Sequence, residues 1–434
     1  MQENTIGVFM KRFLSVVLLV ILVFSLSSCV LPVGWFSGGD YLTLEEAQQL
    51  ISDSMGNGAT VIGGDKYEVT VDNPVPSNVA AASIGLLSSV RVVSNFKMNY
   101  TQGFGAGVTN STKDYSAEGA GVIYKMDGSK PGDAYIITNY HVVYDYRANT
   151  KNHISSDIDI YLYGMESEKY AIPATYVGGS LNYDIAVLKV TGSRTLAQSS
   201  AVPVTIADSD KVSVLDTAIA IGNPAASGIS ATVGYVNVDS EYLSMVGADN
   251  STTVSLRVMR IDAAVNSGNS GGGLFNDKGE LIGIVNAKMS SSSIDNIGYA
   301  IPSNVAKYIA DNIIYYCDGT ERESVYRTLI GIVVDAAKSY TQYDTESGRV
   351  YKKETVVIAE VNKGSAAEGK LLAGDVINSI TIDGKKYEVT RTHHVVDSML
   401  NARPGSRVVL NITRDGQTLE VEIAITENLL TEYK

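Results

Sequence analysis

Short apolar runs with strand-like spacing dominate the chain between residues 118 and 302. Examples are GVIYKM, AYIITNYHVV, IDIYLYG, YDIAVLKV, DTAIAIG, ATVGYVNV, LRVMRIDAAV, GELIGIVNAK and IGYAIP. Turn signals separate them, and many short strands at this spacing predict a sandwich or a barrel. The pattern changes on either side. Residues 79–98 have an Ala/Ser-rich first half and a strand-like second half from Val90 to Met98. Residues 99–117 are polar and Gly-rich with little periodicity, which predicts a surface loop. Residues 303–315 (SNVAKYIADNIIY) read as an amphipathic helix capped by Ser303 or Asn304. Polar residues 316–326 read as a linker, 327–427 as a second module and 428–434 as a tail. Far upstream, Thr43 and Glu46 form a capping-box pattern before Ala47, Leu50 and Ile51, predicting a short helix at 44–54.

The N-terminal pattern is of another kind. Lys11 and Arg12 precede an uncharged apolar run from Phe13 to Leu26, followed by small residues, as in a secretory signal. The run ends Leu26-Ser27-Ser28-Cys29, which resembles the bacterial lipobox. That resemblance implies a signal peptide over 1–28, cleavage before Cys29 and a diacylglyceryl group on its sulfur. The protein would then be lipid-anchored at the extracytoplasmic face of the cell membrane, each buried methylene contributing about 0.8 kcal/mol. Because apolar residues continue to Phe36, an uncleaved signal anchor is the alternative, and both export the rest of the chain. Residues 29–78 then form a linker with the short helical segment.

Composition narrows the function. A length of 434 residues suggests two or three domains. With 45% hydrophobic and 19% charged residues, sizeable cores are available. A net charge of −13 repels phosphates, which argues against a nucleic-acid partner and requires any membrane attachment to use something other than a basic face. Two cysteines, Cys29 and Cys317, allow no disulfide framework beyond one bridge, and Cys317 reads as a small buried hydrophobe. Neither a Cys/His spacing suited to a metal nor a phosphate-binding glycine loop is present, so no cofactor and no metal are expected.

Acyl transfer to water needs a nucleophile, a base, a group that orients the base, and donors for the oxyanion. Histidine is the usual base, and the chain has four: His141, His153, His393 and His394. His141 ends the apolar strand-like run 136–143. Ser270 lies in Asn266-Ser267-Gly268-Asn269-Ser270-Gly271-Gly272-Gly273-Leu274, where small residues let backbone and substrate approach closely. Asp184 opens the apolar run 185–188, either as a solvated turn residue or as the acceptor of the Nδ1–H of His141. The chain order His141, Asp184, Ser270 is that of the chymotrypsin type.

The segments EGAGVIY, ITNYHVV, YDIAVLKV, DSDKVSVLDTAIAIGNP, RIDAAVNSGNSGGGLFNDKGELIGIV and IGYAIPSN resemble, in order, those of the HtrA/Deg family of serine proteases. The resemblance implies a mostly β protein: a chymotrypsin/trypsin-like pair of six-stranded β-barrels over 79–315, with the triad in the cleft between them. It also implies Ser270 as nucleophile with its oxygen touching the imidazole, His141 as base then acid, Asp184 as orienting carboxylate, and the N–H groups of Gly268 and Ser270 as oxyanion hole. One such donor is worth about 3–4 kcal/mol. Asn269 precedes the nucleophile where digestive relatives carry an aspartate, so activation by a new N-terminus is not expected and loop ordering would take its place. Ala264, six residues before Ser270, would floor the specificity pocket and favour cleavage after small or medium aliphatic residues. Gly273 stands where the family usually has proline, which is expected to loosen the turn.

The second module resembles one PDZ domain of the HtrA type, through Leu329-Ile330-Gly331-Ile332, VVIAEVNKGSAAEGKLLAGDVINSI and PGSRVVLNITRDGQTLEVEIAI. Ile330, Gly331 and Ile332 would present N–H groups to a C-terminal carboxylate, with the peptide added to the sheet edge. His393 and His394 are expected to open the helix beside that groove as solvated residues. The resulting expectation is an exported serine endopeptidase acting on misfolded or exposed segments of envelope proteins, with C-terminal peptides at the PDZ groove and, by resemblance, a homotrimer. A protease dedicated to one target and a non-proteolytic chaperone or peptide-binding adaptor are the alternatives.

Overall fold

The computed structural model describes residues 77–102, 109–289 and 297–433. Cys29, the export segment and the helix expected at 44–54 lie outside the described residues. The first closed barrel consists of β1 (Ser89–Gln102), β2 (Thr109–Met126), β3 (Ala134–Thr138), β4 (Asp157–Leu162), β5 (Ile172–Ser180) and β6 (Ile185–Val190), in the order β1-β2-β3-β6-β5-β4. The second consists of β7 (Thr217–Gly222), β8 (Ser230–Val246), β9 (Thr253–Ile261), β10 (Gly273–Phe275), β11 (Leu281–Val285) and β12 (Gly298–Pro302), in the order β10-β11-β12-β9-β8-β7. Closure removes open edges from both sheets.

The apolar runs become these strands because each can bury one face in a barrel and the other under a neighbouring element. In β6, Ile185, Ala186, Val187 and Leu188 are all fully buried. Alternate residues join different clusters, Ala186 and Leu188 the first-barrel core and Ile185 and Val187 the core shared with the second barrel. Each large aliphatic side chain so buried contributes about 1.5–3 kcal/mol.

The expected loop at 99–117 is instead mostly strand. β1 runs on to Gln102 and β2 starts at Thr109, paired in continuous register from Ser89↔Val122 to Gln102↔Thr109. Polar residues pair here as the distal part of a hairpin, and their sequence carries no hydrophobic periodicity to signal it. The Ala/Ser-rich start becomes α1 (Ser77–Leu87), with Ala81 and Gly85 buried.

The amphipathic run forms a longer helix, Ser303–Cys317, with Pro302 in the cap position. Ser303 and Asn304 lie in its first turn. Their side chains bond Ala207 O and the carboxylates of Asp208 and Asp210. The helix is fixed to the first barrel by Asp311, which accepts from Tyr124 Oη at 2.7 Å and Lys125 Nζ at 2.6 Å. Just past its end, Asp318 accepts from Tyr135 Oη at 2.6 Å and Lys189 Nζ at 2.8 Å. Cys317 is a free, buried thiol, and burial pushes its pKa up to about 12.

The segment read as a linker is tied in. Gly179 N–H donates to Glu323 O at 2.9 Å, and β13 (Val325–Thr328) pairs with β20 (Leu430–Tyr433), drawn from the expected tail. The second module is a sheet ordered β14-β15-β16-β18-β19, with β17 on β16. Its strands are β14 (Ile332–Asp344), β15 (Arg349–Val361), β16 (Val376–Ile382), β17 (Lys385–Glu388), β18 (Arg407–Arg414) and β19 (Gln417–Ala424). A helix, Thr392–Met399, packs on its core.

His393 and His394 do open that helix, but neither is solvated. His393 is 5% exposed, and the His394 side chain 12%. The helix turns this face to the second barrel, where Arg257 lies 2.7 Å from Asp397 and 3.7 Å from Asp210. Arg391 reaches Asp239 at 2.7 Å. Burial, with Arg257, His394 and Arg391 adding to it, drives the His393 pKa far below its ordinary value. Burial pushes Asp397 up to about 6 against the pull of Arg257. The sequence of the module alone could not announce a face covered by another domain.

Candidate active site

His141 lies on a single helical turn, Tyr140–Val143, directly after β3, and Asp184 lies in the turn before β6. Because β3 and β6 are neighbours, with Thr138 paired to Ala186, these two chain positions meet at one end of the first barrel. Asp184 Oδ2 is 2.7 Å from His141 Nδ1, and Asp184 Oδ1 accepts the His141 backbone N–H at 3.0 Å. Asn286 Nδ2 donates to Oδ2 at 2.7 Å, and Asn139 Nδ2 donates to Asp184 O at 2.8 Å. Asp184 adopts φ +50°, a left-handed conformation uncommon for a residue with a side chain and found where surrounding bonds enforce it.

The serine turn comes from the second barrel and is driven against the first. Ala120 N–H donates to Ser270 O at 2.8 Å. Gly271 has φ +84°, and a Cβ there would lie 2.3 Å from Thr138 Oγ1, so glycine is required by both conformation and contact. Gly271 N–H donates to Val285 O at 3.0 Å, next to Asn286, which links the turn back to Asp184. All three side chains therefore stand at one inter-barrel seam. Ser270 Oγ accepts a hydrogen bond from Ala287 N–H at 3.1 Å and, among the described residues, makes none to His141. The expected oxygen–imidazole hydrogen bond is not made in this arrangement; the hydroxyl oxygen accepts from the exit of β11, which leaves its own proton free to be donated.

The peptide bond before Gly268 is oriented. Ala225 N–H donates to Ser267 O at 2.8 Å, and in a trans peptide the Gly268 N–H then points the opposite way. Asn223 N–H holds Gly268 O at 3.2 Å. Glu118 anchors this loop, accepting from Asn223 Nδ2 at 3.0 Å while paired with Arg91 at 2.9 Å. A Cβ on Gly268 would meet Asn223 O at 2.0 Å.

A trypsin-like peptidase domain model matches residues 119–284, and a PDZ domain model matches 329–425. The "Serine protease Do-like HtrA" of Lactococcus lactis subsp. lactis (strain IL1403) is 30% identical over 375 residues, 82% of this chain and 84% of that one. Its namesake in L. lactis subsp. cremoris (strain MG1363) is 29% identical over 407 residues, covering 90% and 92%. The chain belongs to the HtrA/Deg family of serine proteases. The "Periplasmic pH-dependent serine endoprotease DegQ" of Escherichia coli (strain K12) is also similar, 33% identical over 315 residues, 71% of this chain and 59% of that one. Among solved structures, "HtrA-type protease AlgW with tripeptide" is 26% identical with a TM-score of 0.49, covering 82% of this chain and 98% of that one.

In this HtrA-family protease the sequence reading missed Asn286, Asn223 and Glu118, whose roles come from contacts between distant segments. Asn269 is 3% exposed and donates to Ala264 O at 3.4 Å, while Ala264 itself is exposed. At Gly273 the Phe275 ring occupies the space a Cβ would need, at 2.4 Å, and Gly273 pairs with both Ile221 and Ile284.

In the PDZ domain, Gly331 has φ +83°, and a Cβ there would clash with Ser365 at 2.1 Å. The Ile330 and Gly331 carbonyls accept from Ala367 N–H at 3.1 Å and Asn362 N–H at 2.9 Å. By peptide planarity the Gly331 and Ile332 N–H groups face away from that turn. Ligand atoms of Asp210, His393 and His394 lie within 4.8 Å of one another, the geometry of a candidate metal cluster. The surroundings oppose a cation: Arg257 sits 3.7 Å from Asp210, and His394 Nδ1 accepts from Thr390 N–H at 3.2 Å, leaving its proton on the nitrogen that faces Asp210.

Proposed function

We propose that this protease is an exported, membrane-anchored endopeptidase that cleaves misfolded or exposed segments of envelope proteins under control of its PDZ domain. The observation that carries the catalytic assignment is the two-point grip of Asp184 on His141, through Nδ1 at 2.7 Å and the backbone N–H at 3.0 Å. An ionised carboxylate only accepts, so the proton sits on Nδ1 and the Nε2 lone pair is left for the cleft. In this reading Ser270 Oγ turns from Ala287 N–H to Nε2, gives up its proton and attacks the scissile carbonyl. The Gly268 and Ser270 N–H groups receive the oxyanion. His141 then protonates the leaving amine, and water repeats the sequence to free the acyl group.

Ala264 at the pocket floor offers no carboxylate to Lys or Arg, so cleavage follows small or medium aliphatic residues. The Ile330–Ile332 loop takes a C-terminal carboxylate. Cys29 carries the lipid after removal of 1–28, and the protease and PDZ domains are those drawn from the sequence, with the strand pair 325–328 and 430–433 added to the second module. Assembly as a homotrimer is part of the same reading. The proteolytic reading is tested by comparing casein degradation by the detergent-solubilised protein and its Ser270→Ala variant. Loss of cleavage in the variant is expected, and equal activity would remove the enzyme mechanism assigned to Ser270.

A further inference from the structure

Residues 333–354 carried none of the PDZ resemblance, and they build the most exposed feature of the second module. β14 and β15 form a hairpin paired from Ile332↔Val361 to Asp344↔Arg349, well beyond the helix 392–399. A strand of 13 residues is about 43 Å long. The helix 392–399 runs from Glu354, the partner of Ser339, back to Thr328, so it does not extend along Thr341 and Tyr343. The distal residues 337–343 are exposed, with Tyr340 at 44% and Tyr343 at 62%. The far side of the hairpin is held to the second barrel: Arg349 lies 2.7 Å from Asp216 and bonds Lys211 O at 3.2 Å. β14 is therefore the open edge.

The bonds made by β15 reveal which way the β14 backbone points. In an antiparallel pair, opposed residues direct their N–H and C=O groups both inward or both outward. Asn362 N–H bonds Gly331 O, which makes Ile332–Val361 an outward pair. Ile358 N–H donates to Asp375 O and Glu354 N–H to Thr390 O, both away from β14. Their partners Val334 and Ser339 therefore also face outward, and by alternation so do Ala336, Thr341 and Tyr343. The bulge at Ala336/Lys338 shifts the outward set along β14 from even-numbered to odd-numbered residues.

Building on the carboxylate-loop reading above, we propose that the distal edge of β14 is a second part of the peptide site. Its occupant is an extended, proline-free polypeptide of about ten residues ending in a free carboxylate. The carboxylate sits at Ile330–Ile332, and the peptide runs antiparallel to β14, so its upstream residues meet the outward groups of Ser339, Thr341 and Tyr343. The edge starts at the carboxylate loop and, past the bulge at Ala336/Lys338, resumes on the same strand with outward groups at Ser339, Thr341 and Tyr343; this continuity of one strand with the loop favours a C-terminal tail over a second copy. Affinity from such main-chain pairing depends on length and extension more than on side-chain identity, which suits unfolded C-termini as substrates.

The test uses the full detergent-solubilised chain carrying Ser270→Ala, so that peptides survive. Fluorescein-labelled peptides of 4 and 12 residues share one aliphatic C-terminal tetrapeptide, and their anisotropy gives affinities. The longer peptide is expected to bind about ten-fold tighter or better, equal to about 1.4 kcal/mol. Backbone N-methylation of its upstream half abolishes the gain. So does Thr341→Pro, which deletes an outward N–H and leaves the hairpin ladder intact, while 4-residue binding is unchanged. Equal affinities, or a gain that survives Thr341→Pro, would overturn the proposal. A Thr341→Pro change that lowers the oligomer order in sedimentation would overturn it too, assigning the edge to a second copy. The C-terminal amide of the 4-residue peptide reads the loop separately: undiminished binding there removes the carboxylate assignment, and the length series still decides the edge.

Discussion

The protein brings histidine beside aspartate twice, with opposite consequences. In the cleft, Asp184 has His141 to itself. Its two oxygens take the His141 N–H, Nδ1 and Asn286 Nδ2, and the His141 side chain keeps 17% exposure toward the cleft. At the barrel–PDZ junction, Arg257 comes between. It faces both Asp397 and Asp210, and burial lowers the pKa of both His393 and His394. Those imidazoles are neutral packing groups. The residue pair alone does not decide between chemistry and cohesion; the third charge and access to solvent do.

The largest expected effect breaks the pairing in the cleft. Ser270→Ala lowers caseinolysis by about 10⁴-fold or more, and His141→Ala adds little to it because the groups act as a unit. A change of similar rank at the junction reads out as cohesion. Arg257→Leu strands a buried carboxylate and destabilises the docked module by about 3–5 kcal/mol. The double variant Arg257→Leu/Asp397→Leu recovers most of that in chemical denaturation, because no fully buried charge is left without a partner and Asp210, which is partly exposed, keeps its bond from Asn304. If the single and double variants match, the buried pair is not what holds the junction.

Asn286→Leu sharpens the cleft side. Removing a hydrogen bond to a charged group costs about 1.5–3 kcal/mol, so kcat falls roughly 10- to 100-fold with KM nearly constant. A pure rise in KM would show that Asn286 acts on substrate binding instead.

The smallest effect is on pH. His393 and His394 have folded-state pKa values below the unfolded value of about 6.5. The unfolded chain then takes up protons that the folded one refuses, and stability falls as pH drops below about 6.5. Asp397, raised to about 6, works the other way between pH 6 and 4. Two imidazoles outweigh one carboxylate, so thermal midpoints decline from pH 7 to 5, and His393→Asn flattens the decline. An unchanged slope would mean that His393 is not the group refusing the proton.

Much of this architecture was legible because barrel strands are short, apolar and buried on both faces, as Ile185–Leu188 illustrate. The serine turn was legible because Gly268 and Gly271 need positive φ and tolerate no Cβ. The polar hairpin ends at 99–102 and 109–117 and the β14 edge were not, since their mostly polar sequences carry no period-two hydrophobic signal. Asn286, Asn223 and Glu118 looked like ordinary polar residues because their partners lie far off in sequence. His393 and His394 were misjudged for the same reason: the face they occupy is covered by a barrel whose docking the module's own sequence does not encode.

Convergence of three distant side chains on one reactive serine is most directly tested by fluorophosphonate labelling of the full chain, with and without a stimulating C-terminal peptide, mapped by mass spectrometry. The account predicts a single adduct on Ser270, stronger with peptide and absent in His141→Ala. Labelling at another residue, or of Ser270 to the same extent without His141, would contradict it.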